Sequence, residues 1–175
     1  MKFTVISQYI TTCAAFLGIG LGLYNLYIAS SNRKVRVKVV PKSIIRKYQN
    51  EITGAEIVIS SKEEFNPVYG KFMLEIVNLS NFSVTICHVG FKIFGDNGHL
   101  SIAQPILYDG GEWPRRLESR ESFTVYCSLD YLLNNPKSIN IKNAFAETSC
   151  GSICKGSSKA LKQLVAFMKN ERKLS

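Results

Sequence analysis

Five cysteines and two histidines are the residues of this 175-residue chain best suited to redox or metal chemistry. Cys13 sits in an uncharged N-terminal run, while Cys87, Cys127, Cys150 and Cys154 lie beyond it. The tightest spacing is Cys150-Gly-Ser-Ile-Cys154, which a hairpin can fold so that the thiols meet. A zinc centre takes four ligands, so Cys150 and Cys154 are half of one, and no pattern places His88 or His99 beside them. The same thiols suit a regulatory disulfide, with Lys155 as the one adjacent charge that favours a thiolate. Cys87 adjoins His88, but strand neighbours point to opposite faces, so the two make a nucleophile–base pair only if the backbone bulges between them. Cys127 shares parity with Phe123 and Val125 and reads as a small core residue. Glu63-Glu64, Glu118 and Glu121 sit in polar runs that point to solvent. No Gly-rich phosphate loop, HExxH or GxSxG is present. The expectation is a non-catalytic protein with no cofactor. A thiol-based sensor or enzyme at Cys150 and Cys154 stands as the alternative.

The elements that would position these groups begin with an anchor. From Phe3 to Asn32 thirty consecutive residues carry no charge. A bilayer span needs about 20 apolar residues at about 1.5 Å each, and Phe3–Ile28 exceeds that. Ser7, Gln8, Thr11, Thr12 and Asn25 interrupt it, but Ser and Thr hydroxyls can return to the helix backbone. Tyr9 at one end and Tyr24 and Tyr27 at the other fit interfacial belts. Residues 1–32 are therefore expected to be a transmembrane anchor. A cleaved signal is the competitor, with Ala29-Ser30-Ser31 as its cleavage site. The long apolar stretch and the basic flank after it argue against that. Ala14, Gly18 and Gly22 recur every fourth residue, the small-residue spacing of helix–helix packing, and would support a homodimer.

Charge asymmetry sets the expected orientation. Lys2 precedes the span; Arg33, Lys34, Arg36, Lys38, Lys42, Arg46 and Lys47 follow it with no acid until Glu51. Lys and Arg are retained on the cytoplasmic side, so the N-terminus is expected outside and the bulk in the cytoplasm, at the inner membrane. That compartment keeps thiols reduced. Residues 33–50 read as a basic juxtamembrane strand or linker in contact with anionic lipid. Nucleic acid is not the expected partner, because Tyr48 and Phe167 are too few aromatics for a stacking surface.

Residues 51–156 change to a period of two, and the first strand of the same layer is read at 35–40. Val35, Val37 and Val39 alternate with Arg36 and Lys38, and Pro41 is expected to end that strand. Further strands are read at Glu56–Ser60, Lys71–Asn78, Phe82–Ile93, Ser122–Ser128 and Ile139–Glu147, with a hairpin from Ser149–Gly151 into Ile153–Lys155. Val84 and Ile86 have the opposite parity to Val89, Phe91 and Ile93, which a bulge or sharp turn near Cys87-His88 would reconcile. Ile139, Ile141 and Phe145 are expected on one face. Turn chemistry falls at Thr53-Gly54, Asn78–Asn81, Gly95–Gly98, Asp109–Gly111 and Asn134–Pro136. Seven or eight short strands without intervening helices predict a mainly β fold, an antiparallel immunoglobulin-like β-sandwich. The Cys…Trp…Cys hallmark is missing, with Trp113 beside Pro114 in a loop.

Residues 157–175 switch to helical period. Ser157-Ser158 offers an N-cap, and Leu161, Leu164, Val165 and Met168 form one stripe of a basic amphipathic helix. That stripe can pack on the sandwich or on lipid.

The segments RKVRVKVVP, KFMLEIVNLSNFSVTICHVGFKIFG, RRLESRESFTVYC and IKNAFAETSCG together resemble a loose set of small bacterial and prophage proteins. These pair one N-terminal membrane helix with an immunoglobulin-like domain. The resemblance covers most of residues 33–151 as a pattern of strand and turn. It implies fold and anchoring and carries over no reactive residue. It adds a prophage or host-defence envelope factor as a further alternative. The reading favoured by the residues themselves is a membrane-anchored module that binds a protein partner.

Overall fold

The computed structural model describes residues 2–49, 56–95 and 98–174, and the chain divides into two units at Lys34/Val35. The first unit is one helix, α1 (Lys2–Asn32). Its Thr12–Asn32 stretch has a mean hydropathy of 1.5 and no part buried within the protein, long and apolar enough to cross a membrane. A Cβ placed on Gly18 or Gly22 would meet nothing within 4 Å, so the small-residue face is open.

The second unit is mainly β. Its strands are β1 (Val37–Gln49), β2 (Glu56–Ser61), β3 (Lys71–Asn78), β4 (Val84–Ile93), β5 (His99–Ser101), β6 (Ile106–Leu107), β7 (Arg115–Leu117), β8 (Ser122–Ser128), β9 (Ile141–Thr148) and β10 (Ile153–Gly156). They form two antiparallel sheets, β2-β1-β3-β8-β6 and β10-β9-β4-β5, with β7 also paired to β4. The alternation seen along the chain is the burial pattern. Phe72, Leu74 and Ile76 of β3 are fully buried and pair with Cys127, Val125 and Phe123 of β8. From the other sheet, Ile86, Val89, Phe91, Leu117, Ala144 and Ala146 enter the same core cluster. Each fully buried Leu, Ile or Phe contributes about 1.5–3 kcal/mol relative to exposure.

The expected bulge is present: the β4–β9 register shifts between Ile86 and His88, which turns both apolar sets of β4 inward. Three expectations need correction. Pro41 does not end the first strand, because β1 continues to Gln49. At Pro41 the strand has only β3 as a ladder partner, since β2 pairs from Ser43 onward, and a half-open strand tolerates a missing N–H. Ile141 and Phe145 do not share a face. The register slips between Lys92 and Ile93, so Ile141 joins Ala144 and Ala146 in the core while Phe145 is outside that cluster, against His99. The layer is not free of helices: α2 (Leu129–Asn134) and a 3-10 turn at Pro136–Asn140 follow β8. Leu129 and Leu132 bury there, and the Asn135 side chain accepts from the Lys137 N–H at 3.0 Å. The turns expected at Thr53-Gly54 and at Asp96-Asn97 lie outside the described residues.

The C-terminal helix, α3 (Lys159–Leu174), starts as its cap predicts: Ser158 Oγ accepts from the Leu161 N–H at 3.0 Å. Ala160, Leu161, Leu164 and Met168 belong to the core cluster, so the stripe packs on the β unit. Arg172, near the other end of α3, donates to the carbonyls of Pro136 (2.7 Å), Leu133 (3.0 Å) and Asn135. Gly156, just before α3, is required by contact: a Cβ there would lie 1.8 Å from the Val39 carbonyl oxygen.

Candidate interaction surface

The seven basic residues after α1 do not share one environment. Arg33 and Lys34 close the first unit and are exposed. Arg36 and Lys38 project from the start of the β unit into solvent. Lys42 lies across from Met73 and bridges Glu75 at 2.9 Å, and Lys47 bridges Glu56 at 2.5 Å. A register shift between Ile44 and Arg46 puts Arg46 across from Ile59, with its guanidinium 3.3 Å from the Tyr48 hydroxyl. That bond holds Arg46 above its ordinary pKa. Charge that looks continuous in the chain is thus divided between two faces, and two of its lysines are held by carboxylates.

The thiols are separated in the same way. All five cysteines are free. Cys127 is buried, and desolvation pushes its thiol up to about 12, which makes it inert. Cys154 pairs with Ala146 and packs partly buried against the core. Cys150 occupies the exposed β9–β10 turn, closed by the Thr148 N–H to Ser152 carbonyl bond of 3.1 Å. Its Sγ lies 3.1 Å from Thr148 Oγ1 and 3.5 Å from Ser152 Oγ. These hydroxyls, Thr148 first, lower the Cys150 pKa by hydrogen bonding to the thiolate. Nothing in the Cys-x-x-x-Cys spacing announces this; the signal was the Thr and Ser two residues to either side. Among the described residues no group of three or more His, Cys, Asp or Glu side chains is placed to hold a metal ion. The bulge at Cys87 leaves His88 exposed and Cys87 half-buried.

Asn78 and Asn81 match glycosylation acceptors in pattern, but Asn78 is fully buried. Its Nδ2 donates to the carbonyls of Phe82 (2.7 Å), Glu118 (3.1 Å) and Leu117 (3.3 Å), and its Oδ1 accepts from the Ser80 N–H at 2.9 Å. It is a structural clamp on two loops.

An apolar, aromatic-lined surface lies at the far edge of the first sheet. A cavity of about 340 Å³ opens there, lined by Ile102, Ala103, Gln104, Ile106, Tyr126, Cys127, Ser128 and Tyr131. Three elements build it. β6 pairs Ile106 with Tyr126 of β8, which places both on the face away from Val125 and Leu107. α2 supplies Tyr131, whose hydroxyl reaches the Ser101 carbonyl at 3.5 Å. Ile106 is 69% exposed, Tyr108 55% and Tyr131 46%. Tyr108 and Tyr126 stack obliquely at 5.8 Å, and Lys71 Nζ sits 5.4 Å from the Tyr126 ring centre. Burial, followed by the neighbouring Tyr108, raises the Tyr126 pKa, so its hydroxyl stays a neutral donor at physiological pH. Such a groove can take up an apolar or aromatic side chain, hydrogen-bond a peptide through tyrosine hydroxyls, and offer a cation at one rim.

This patch escapes a reading by motif, because its residues are spread from Lys71 to Tyr131. A signal was present all the same. Tyr126 has the opposite parity to Phe123, Val125 and Cys127, so a strand that buries those three must turn a large aromatic outward.

No family model, no curated protein and no solved structure matches the chain.

Proposed function

We propose that this protein is a single-pass inner-membrane protein whose second unit works, without catalysis, as an interaction module on the cytoplasmic face. The apolar length of α1 and the seven basic residues after it, against Lys2 alone before it, support anchoring and orientation. One core shared by two antiparallel sheets supports an immunoglobulin-like sandwich as its architecture. Arg33, Lys34, Arg36 and Lys38 then lie against anionic lipid, at about 1 kcal/mol each near the surface. The open Ala14, Gly18 and Gly22 face offers a helix–helix contact between copies.

The observation that carries the interaction reading is the groove beside Ile106, Tyr126 and Tyr131. An apolar, aromatic surface of this kind facing solvent marks a binding site. Its occupant in this reading is a segment of an acidic protein partner, with an apolar side chain in the groove and a carboxylate toward Lys71. Beyond Asn32 the chain has 21 basic against 13 acidic residues, which favours acidic partners over basic ones. A photo-crosslinking residue at Ile106 of the full chain, in intact cells, tests this. A discrete adduct is expected that Tyr131→Ala removes and that is absent when the probe replaces Ile153 on β10. Equal adducts at both positions, or indifference to Tyr131→Ala, overturn it. Anchoring is tested separately, by retention on vesicles through a carbonate wash and by a C-terminal reporter that is active only in the cytoplasm.

The hydroxyls around Cys150 favour a second reading, a reactive thiol in the β9–β10 turn. Cys150→Ser discriminates the two: an interaction module keeps its Ile106 adduct, and a thiol-based sensor loses its response to oxidant.

A further inference from the structure

Sheet edges are where one β domain meets another, and the edges among the described residues are unequal; β7, with three residues, pairs only with β4. β6 has two residues and follows Pro105; β5 has three; β10 has four and includes Lys155 and Gly156. Short length, proline and lysine are the devices that keep edges from pairing. β2 has six residues, Glu-Ile-Val-Ile-Ser-Ser, with no proline and no lysine. Among the described residues it pairs on one side only, with β1. Ile57 and Ile59 are 53% and 45% exposed on that edge.

We propose that β2 is a docking edge for a second copy of this chain, which adds its own β2 antiparallel across a two-fold axis. The order of residues along the strand supports a copy of itself as occupant. Antiparallel partners place their side chains on a common face, so a two-fold axis normal to the sheet allows only pairs of equal parity. Centring the axis on Ile59 sets Ile59 against Ile59 and Ile57 against Ser61. It also sets Glu56 against Lys62 at both ends of the ladder, all four of these side chains being exposed. Centring it on Val58 sets Glu56 against Ser60 and leaves the lysine without a counter-charge. Charge complementarity therefore selects the first register. Lys62 is the exposed bend residue just past the strand, with its carbonyl taken by the Ala160 N–H at 2.9 Å, so backbone pairing spans Ile57–Ser61 and the Glu56–Lys62 contact is between side chains alone. The two five-stranded sheets then become one sheet of ten through β2–β2. The edge is on the opposite border of its sheet from the tyrosine groove, which stays open. The pairing does not depend on the bilayer reading, although two tethers in one membrane would raise the effective concentration.

The test uses the full chain in detergent micelles, with exchange between donor- and acceptor-labelled copies read by energy transfer. Glu56→Lys and Lys62→Glu each place like charges at both ends of the ladder, and each is expected to weaken self-association on the order of tenfold. Lys62→Glu is the cleaner change, because Glu56 also meets Lys47 within its own hairpin. Mixing the two variants restores both opposite-charge pairs, so the mixture is expected to associate like the parent chain. Damage to the fold cannot be mended by mixing. Ile59→Cys is expected to crosslink to its own counterpart under mild oxidation, and Ile153→Cys is not. Single variants that associate like the parent, a mixture no better than either variant, or crosslinking at Ile153 equal to that at Ile59 overturn the proposal. Association through the Ala14, Gly18 and Gly22 face alone would give the first of these results.

Discussion

Replacing Asn78 with alanine is expected to cost the β unit about 3 kcal/mol. The side chain is fully buried at the end of β3, and all of its polar atoms are used. A side-chain hydrogen bond contributes about 1 kcal/mol net, and a buried group left without a partner costs about 1–3 kcal/mol. The two well-formed bonds, to the Phe82 carbonyl at 2.7 Å and from the Ser80 N–H at 2.9 Å, account for most of the loss. The longer contacts to Glu118 and Leu117 add less, and a water entering the vacated space returns part. Against a domain stability of about 5–15 kcal/mol this is a large fraction, about 10 °C in Tm. Asn78→Asp separates hydrogen bonding from volume. The introduced carboxylate faces three carbonyl oxygens in a buried site, so its folded pKa lies above the unfolded value of about 3.9. The unfolded state then binds fewer protons than the folded one above that value. The protonated acid keeps one donor for the carbonyls, so a constant loss remains at low pH, and the ionisation penalty adds to it above about pH 4 and deepens as pH rises toward the folded pKa. The assay is urea unfolding of the full chain in micelles, followed by Trp113, the sole tryptophan, which packs on Phe123 at 6.1 Å. A loss under 1 kcal/mol for Asn78→Ala, or an Asn78→Asp deficit that does not vary with pH, refutes the clamp.

Thr148→Val removes the leading hydrogen bond to Cys150, so the pH midpoint of maleimide labelling at Cys150 is expected to move upward, while Cys127 stays unlabelled until the fold is opened with urea. Arg172→Met is expected to cost about 1–2 kcal/mol and to raise hydrogen exchange along α3, because the Pro136 and Leu133 carbonyls lose the guanidinium donor while Asn135 keeps only its bonds from Ser138. Arg172→Lys should recover little of this, since a single ammonium cannot span the three acceptors as the guanidinium fork does.

Much of the fold was legible because one periodicity held over each element. The six alternating positions of β3 and β8 bury as their parity requires. The conflict between Val84/Ile86 and Val89/Phe91 located a break in the strand from hydrophobicity alone, since a single flat strand cannot bury both sets, and the register shift shows it to be a bulge. What could not be read depends on partners remote in the chain. Pro41 breaks a strand only where both sides of that strand are paired, and which half of β1 has β2 beside it is a tertiary fact. The slip near Lys92 is likewise a property of two strands together, and it alone separates Ile141 from Phe145. For α2, six residues are too few for a helical period to rise above the β pattern around them.

The surface was less legible than the core for a physical reason. Burial constrains every inward residue, so a core announces itself by regularity. Outward residues are constrained only where something binds them, and the remainder are free to vary. Tyr126, Ile106 and β2 nevertheless break that freedom in a recognisable way. A strand facing water gains nothing by exposing isoleucine or tyrosine, and an unpaired edge without lysine or proline invites association. Both features carry a cost in solubility, and both sit in the same sheet on opposite borders. Two separate contacts, one to a partner at the groove and one to a second copy at β2, would remove that cost without competing for the same strand. If Lys62→Glu abolished the Ile106 adduct as well, the two borders would be coupled through β1, β3 and β8, and partner binding would require the dimer.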